Sequence, residues 1–204
     1  MNFLSFRKQF FELGCFNVHQ VYAWYSDFDK NNLTRWVKQH LLIRLRQGFY
    51  AFPEYLTQRD FSWYLSNRIY KPSYISLHTA LSFYGIIPEA VTKITAVSSL
   101  KTAGFENAFG VYSYQKIQPD LMFGYELKPF GKGNIPFASP EKAILDLLYL
   151  YPFYNTEREM KELRFDEDFM EDDLNLEQLN EYAKRFENKA LRKRIDLLLK
   201  TYGL

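Results

Sequence analysis

Lys30, Asn31, Thr34, Arg35 and Lys38 recur at spacings that place them on one side of a helix. Each is suited to a nucleic-acid surface. An Asn amide can bond an adenine edge, an Arg guanidinium can fork onto guanine, and Lys or Thr can meet phosphate oxygens. Arg44 and Arg46 follow within one alternating run and add two further cations. A second constellation, Asp120, Glu126 and Lys128, spells the residue types of a metal-dependent nuclease, two carboxylates for Mg²⁺ and a lysine to help activate water. Only five residues separate its acids in the chain, which is short for two adjacent strands to aim both at one ion. No further acid nearby completes the set.

The other reactive residue types make no site. His19, His40 and His78 are scattered, and the one cysteine, Cys15, beside Phe16, reads as a buried side chain without a His/Asp partner. Gly131-Lys132-Gly133 lacks the further glycine and the Lys-Ser/Thr ending of a phosphate loop and reads as a turn. The 19 Phe and 16 Tyr fall at helical or alternating spacings, so core packing is the reading, not base stacking. No metal, cofactor or catalysis is expected.

The elements that must position the basic face are legible around it. Leu33, Trp36, Val37, His40 and Leu41 form the opposite, apolar stripe of the same helix, and Asp27 or Asp29 can cap its start. An earlier short helix precedes it across a tight turn. Leu42 to Phe52 then alternates, with Ile43 and Leu45 on one face and Arg44 and Arg46 on the other, around a turn at Arg46-Gln47-Gly48. Helix, turn, helix and basic hairpin within Asn17 to Pro53 are the layout of a winged helix-turn-helix that reads double-stranded DNA. A basic helix face is also often no more than a solvated one, so a scaffold role stays open.

At 204 residues, 47% hydrophobic and 25% charged, the chain can bury a sizeable core in one or two domains. Net charge is +3 over residues 1–56, +2 over 57–150 and −3 over 151–204, so the positive excess sits with the basic face. It is small. Nonspecific DNA affinity should be weak and strongly dependent on salt. One cysteine excludes an internal disulfide and suits a reducing cytoplasm, and the start MNFLSFRKQFFELG reads as an amphipathic helix stopped by Gly14, not a leader. No heptad seam is present, so the expectation is a monomer or weak dimer, pairing at most on DNA half-sites.

Beyond Pro53 the pattern predicts a helix over Leu56 to Arg68, a break at Tyr70-Lys71-Pro72-Ser73, and a short helix from Leu77 to Tyr84 capped by Ser76 and ended by Gly85. Strands are expected over Ile94–Ser99, Gly110–Ile117, Phe123–Phe130 and Asn134–Phe137. Ser139-Pro140-Glu141 then opens an apolar helix, within which Asp146 needs a partner that Lys142, one turn earlier, can supply. Between Glu157 and Glu187 acids outnumber bases by 12 to 5, and RFDEDFMEDDLN reads as an exposed acidic loop before helices at Leu176–Phe186 and Ala190–Tyr202. The class is α+β, with domains at residues 1–55 and 56–204.

Three stretches in this order, the hairpin ending RQGFYAFP, KPSYISLHTALSFYGIIPE and IPFASPEKAILDLLYL, resemble the AbiEi-type antitoxins of bacterial viral defence. ELRFDED and LRKRIDLLLKTYG resemble that family's C-terminal pattern, so the resemblance covers nearly the whole chain. It implies an N-terminal winged helix that represses its own promoter and a mixed α/β antitoxin domain with C-terminal helices. That domain would counteract a nucleotidyltransferase-like toxin of a type IV toxin-antitoxin (abortive infection) system, without needing a stable complex. Carried over by position, the DNA-reading role falls on Asn31, Asn32, Thr34, Arg35 and Lys38 and on Arg44 and Arg46 of the wing. Tyr74, Glu141, Lys142 and Asp146 are the polar members of the two later segments, whose physics is otherwise capping and packing. Two alternatives stay open: an interaction module built on the acidic C-terminal region, and the nuclease.

Overall fold

The computed structural model describes residues 1–131 and 133–204; the Gly131-Lys132-Gly133 turn reading falls in part on Lys132, outside the described residues. Asn2 accepts the backbone N–H of Ser5 at 2.9 Å and so starts α1, Phe3–Phe10, which buries Phe6 and Phe10. A short 3-10 turn then meets Gly14 at φ +67°, where a Cβ would approach the Phe61 ring to 2.8 Å. Both the left-handed backbone and the close approach require glycine. Strand β1, Cys15–Asn17, leads into α2, Val18–Trp24, through a reciprocal capping box between Asn17 and Gln20. Asp29 accepts the Asn31 backbone N–H at 2.9 Å at the start of α3, Asn31–Lys38.

The apolar stripe of α3 is shorter than its periodicity suggests. Leu33 and Trp36 are buried and Val37 and Leu41 half-buried, but the helix ends at Lys38 and His40 sits exposed in left-handed backbone at φ +58°. Strands β2, Ile43–Arg46, and β3, Phe49–Ala51, close around Gly48 at φ +78°. With β1 they make an antiparallel sheet in the order β1-β3-β2.

Period-two alternation divides the buried residues of this small sheet between two cores. Phe16 and Tyr50 join Phe6, Phe10, Phe28 and Trp36 in the first, whereas Cys15, Leu45 and Ala51 belong to the second, larger core. Tyr55 ties the two together. Its hydroxyl donates to the Phe11 carbonyl at 2.6 Å, and its ring stacks on Phe61 with centroids 4.5 Å apart.

The larger unit begins with α4, Phe61–Ile69, which starts later than the polar pattern suggests because a 3-10 turn takes Pro53–Thr57 and Asp60 lies at φ +61°. Then follow β4 (Ser73–Ile75), α5 (Leu77–Phe83), β5 (Lys93–Ser98), β6 (Ala103–Asn107), β7 (Gly110–Lys116), β8 (Tyr125–Phe130) and β9 (Gly133–Ala138). They form a mixed sheet in the order β6-β7-β5-β4-β9-β8, with β5/β7 and β4/β9 parallel and the other pairs antiparallel. Two of its strands go beyond the sequence expectation. β4 is three residues long beside Pro72 and reads as a break, and β6 is an edge strand without apolar alternation.

Helix α6, Pro140–Leu150, opens as expected, with Ser139 accepting the Lys142 backbone N–H at 3.3 Å and Pro140 in the first turn. Ala143, Ile144, Leu145, Leu147 and Leu148 are all fully buried, because α5, α8 (Leu176–Arg185) and α9 (Lys189–Thr201) pack around it. The acidic stretch is more ordered than a loop. Thr156 and Glu159 form a capping box that starts α7, Glu157–Glu162, and Phe165, Met170 and Leu174 anchor a π-helical turn at Phe169–Asp173 while the acids around them face solvent. Helices beside a mixed sheet make the protein α+β. Among the described residues no helix is long and apolar enough to cross a membrane.

Candidate nucleic-acid interface

Burial of Leu33 and Trp36 fixes the rotation of α3, and with it which side chains point outward. Lys30, Asn31, Thr34, Arg35 and Lys38 are all exposed, so one helix face presents two amide-type or hydroxyl groups and three cations to solvent. Asn32, carried over from the family resemblance, lies half-buried at the margin of that face. Its Oδ1 accepts the Arg35 Nη2–H at 2.7 Å. This bond restrains the guanidinium and leaves its other N–H groups to reach a ligand. Arg44 on β2 is also exposed and adds a cation to the same unit.

Arg46 is placed differently from the wing position expected of it. Its Nη1 donates to the Ile69 carbonyl at 2.7 Å, and its guanidinium lies 4.4 Å from the centroid of Phe105 and 5.6 Å from that of Tyr70. A register shift between Arg44 and Arg46 removes the simple alternation that would put the two arginines on one face. Arg46 therefore joins the hairpin to the larger unit, and Arg44 remains the hairpin's outward cation.

The polar residues of the later segments come together elsewhere. Asp146 accepts from the Tyr74 hydroxyl and the Ser76 hydroxyl, each at 2.8 Å, and pairs with the Lys142 ammonium. Lys142 also donates to the Tyr74 oxygen at 2.9 Å. All four residues are 0% exposed, which closes them to any substrate. Burial pushes the Lys142 pKa down against the pull of Asp146, and burial, reinforced by Asp146, holds the Tyr74 phenol well above its usual value. Ser76 precedes α5 but does not cap it; its hydroxyl is spent on Asp146. The Lys142–Asp146 pairing follows from their i,i+4 spacing, whereas Tyr74 and Ser76, some 70 residues away in sequence, could be found only in the fold. Glu141 lies apart from the quartet, accepting the Asn175 backbone N–H at 3.3 Å.

The nuclease residues stand on two elements. Asp120 sits exposed in the 3-10 turn Pro119–Leu121, Glu126 is exposed on β8, and the Lys128 ammonium lies 4.9 Å over the Phe83 ring. Among the described residues no three His, Cys, Asp or Glu side chains are grouped to hold a metal ion. Cys15 is buried, and burial pushes its thiol up to about 12, the opposite of what a nucleophile needs. Burial lowers the His78 pKa, and its ring packs near Tyr151. No protein-family model matches the chain, and no curated protein matches it.

Proposed function

We propose that this chain is a cytoplasmic DNA-binding regulator whose first unit is a winged helix, with α3 as recognition helix and β2 and β3 as wing. In this reading it represses its own promoter and acts as the antitoxin of a type IV toxin-antitoxin phage-defence system, counteracting a nucleotidyltransferase-like toxin without catalysis of its own. One observation carries the DNA part: Asn31, Thr34, Arg35 and Lys38 are exposed on α3 while Leu33 and Trp36 of the same helix are buried, and Arg44 of the hairpin that follows is exposed as well. A helix held by its apolar side over a small sheet is a form that can enter a major groove. The antitoxin part is supported by the resemblance of the three sequence segments alone.

The test is binding of the purified protein to the DNA upstream of its own gene, beside scrambled DNA, across a salt series. Selective binding that persists near physiological salt is the expected result. Equal and salt-fragile binding to both would remove the regulator reading. The second reading, an interaction module, rests on the exposed acids Glu167, Asp168, Glu171, Asp172 and Asp173 around the π-helical turn. It requires that reversing these charges abolish capture of a basic partner while DNA binding stays as it was.

A further inference from the structure

Where the small sheet meets the larger unit, a cleft of about 570 Å³ opens between Asn17 and Phe49 on one side and Arg68, Tyr70 and Lys71 on the other. That volume falls within the range of small-molecule sites. Its charge is one-sided: Arg46, Arg68 and Lys71 line it, and no carboxylate does among the described residues. Two of these cations are already held in place. The Arg46 guanidinium is fixed by the Ile69 carbonyl and the Phe105 ring, and that of Arg68 lies 4.6 Å over the Tyr64 ring. An anion would therefore meet donors whose side-chain entropy is already lost.

The third cation, Lys71, stands close enough to Arg68 to feel its charge. Partial burial and the neighbouring Arg68 charge both lower the Lys71 pKa, so two like charges stand close together although Lys71 itself remains exposed. An anion between them would relieve that repulsion and form charge-assisted bonds to both. Phe49 and Tyr70 add aromatic surface to the same cleft. We propose that the cleft binds a small organic phosphate, with the phosphate on Arg68 and Lys71 and the organic part against Tyr70 and Phe49. A recessed site suits a small ligand better than a duplex backbone, because Arg46 and Arg68 are half-buried in its walls. Its lining is drawn from both units, so an occupant would bridge them.

Calorimetric titration of the full-length protein with ATP, inorganic pyrophosphate and adenosine tests this without reference to the DNA-reading role. ATP and pyrophosphate should bind and adenosine should not. Lys71→Gln, at an exposed position, should weaken both phosphates about tenfold with an unchanged melting curve. Arg68→Lys, which keeps the charge but loses the fork, should weaken them to a smaller degree. Absence of phosphate binding at millimolar ligand, or binding that neither substitution alters, would overturn the proposal. So would loss of duplex DNA binding in Lys71→Gln when the wild-type protein binds neither ATP nor pyrophosphate, which would assign the cations to a nucleic-acid backbone.

Discussion

Asp146→Ala should be among the most damaging single substitutions in this protein. The carboxylate is 0% exposed and receives three donors, the Tyr74 and Ser76 hydroxyls at 2.8 Å each and the Lys142 ammonium. Its removal strands a buried ammonium and deprives two buried hydroxyls of their acceptor. Breaking a buried ion pair from one side costs about 3–5 kcal/mol, a large part of the roughly 5–15 kcal/mol by which domains are stable. Urea unfolding at pH 7, followed by far-ultraviolet circular dichroism, reads the loss directly. Lys142→Met should cost less than Asp146→Ala, because the remaining carboxylate keeps both hydroxyl donors. The double substitution Lys142→Met with Asp146→Leu should recover much of the loss, since no buried charge is left. A pH signature accompanies the Asp146 variant. Asp146 raises the Lys142 pKa against burial, so without it the folded-state value falls further below the ordinary 10.5. The unfolded chain then binds more protons than the folded one, and the variant's stability should rise from neutral pH toward 10.5 relative to wild type. A loss under about 1 kcal/mol, or a deficit that does not change with pH, would refute the reasoning.

Arg35→Ala should weaken operator binding by roughly 1–3 kcal/mol if the guanidinium forks onto a base, whereas a phosphate contact would lower affinity for all sequences alike; a gel-shift series on specific and scrambled DNA separates the two. Arg46→Ala should lower unfolding stability by about 1–3 kcal/mol through the lost carbonyl bond and ring contacts, while Arg44→Ala should change stability by less than about 0.5 kcal/mol and weaken DNA binding instead. Cys15 ties alkaline stability to burial, because its thiol ionises at 9.0 when unfolded and at about 12 when folded. The folded state holds its proton while the unfolded state releases it, so stability is lost from pH 9.0 upward until about 12, by about 2 kcal/mol at pH 10.5. Denaturant titrations of wild type and Cys15→Ala over that range should show a shallower alkaline decline in the variant. Gly124→Ala should destabilise by about 2 kcal/mol or more, since its φ is +67° and a Cβ would lie 2.8 Å from the Tyr182 ring and 3.2 Å from Lys142; a thermal melt checks it.

What sequence by itself determined was local. The i, i+3 pattern of Leu33 and Trp36 predicts α3 and its outward residues, Gly48 marks the hairpin turn, and Ser139-Pro140 marks the start of α6; all three appear where expected. These signals are read from neighbours within one helical turn or one hairpin, so no tertiary knowledge is needed. The Lys142–Asp146 pair belongs with them, four residues apart on one helix. Tertiary structure decided what the same residues do at longer range. Ser76 has a cap's position and residue type, but Asp146, 70 residues on, claims its hydroxyl. Arg46 has the charge of a wing residue, but a bulge turns it toward Ile69 and Phe105 of the other unit. The three-residue β4 shows no strand pattern of its own and exists because β5 and β9 supply partners on either side. The cleft lined by Arg46, Arg68 and Lys71 likewise depends on how the two units pack. In each case the deciding partner lies far away in sequence, and only the burial of a shared core brings it within hydrogen-bond or van der Waals reach.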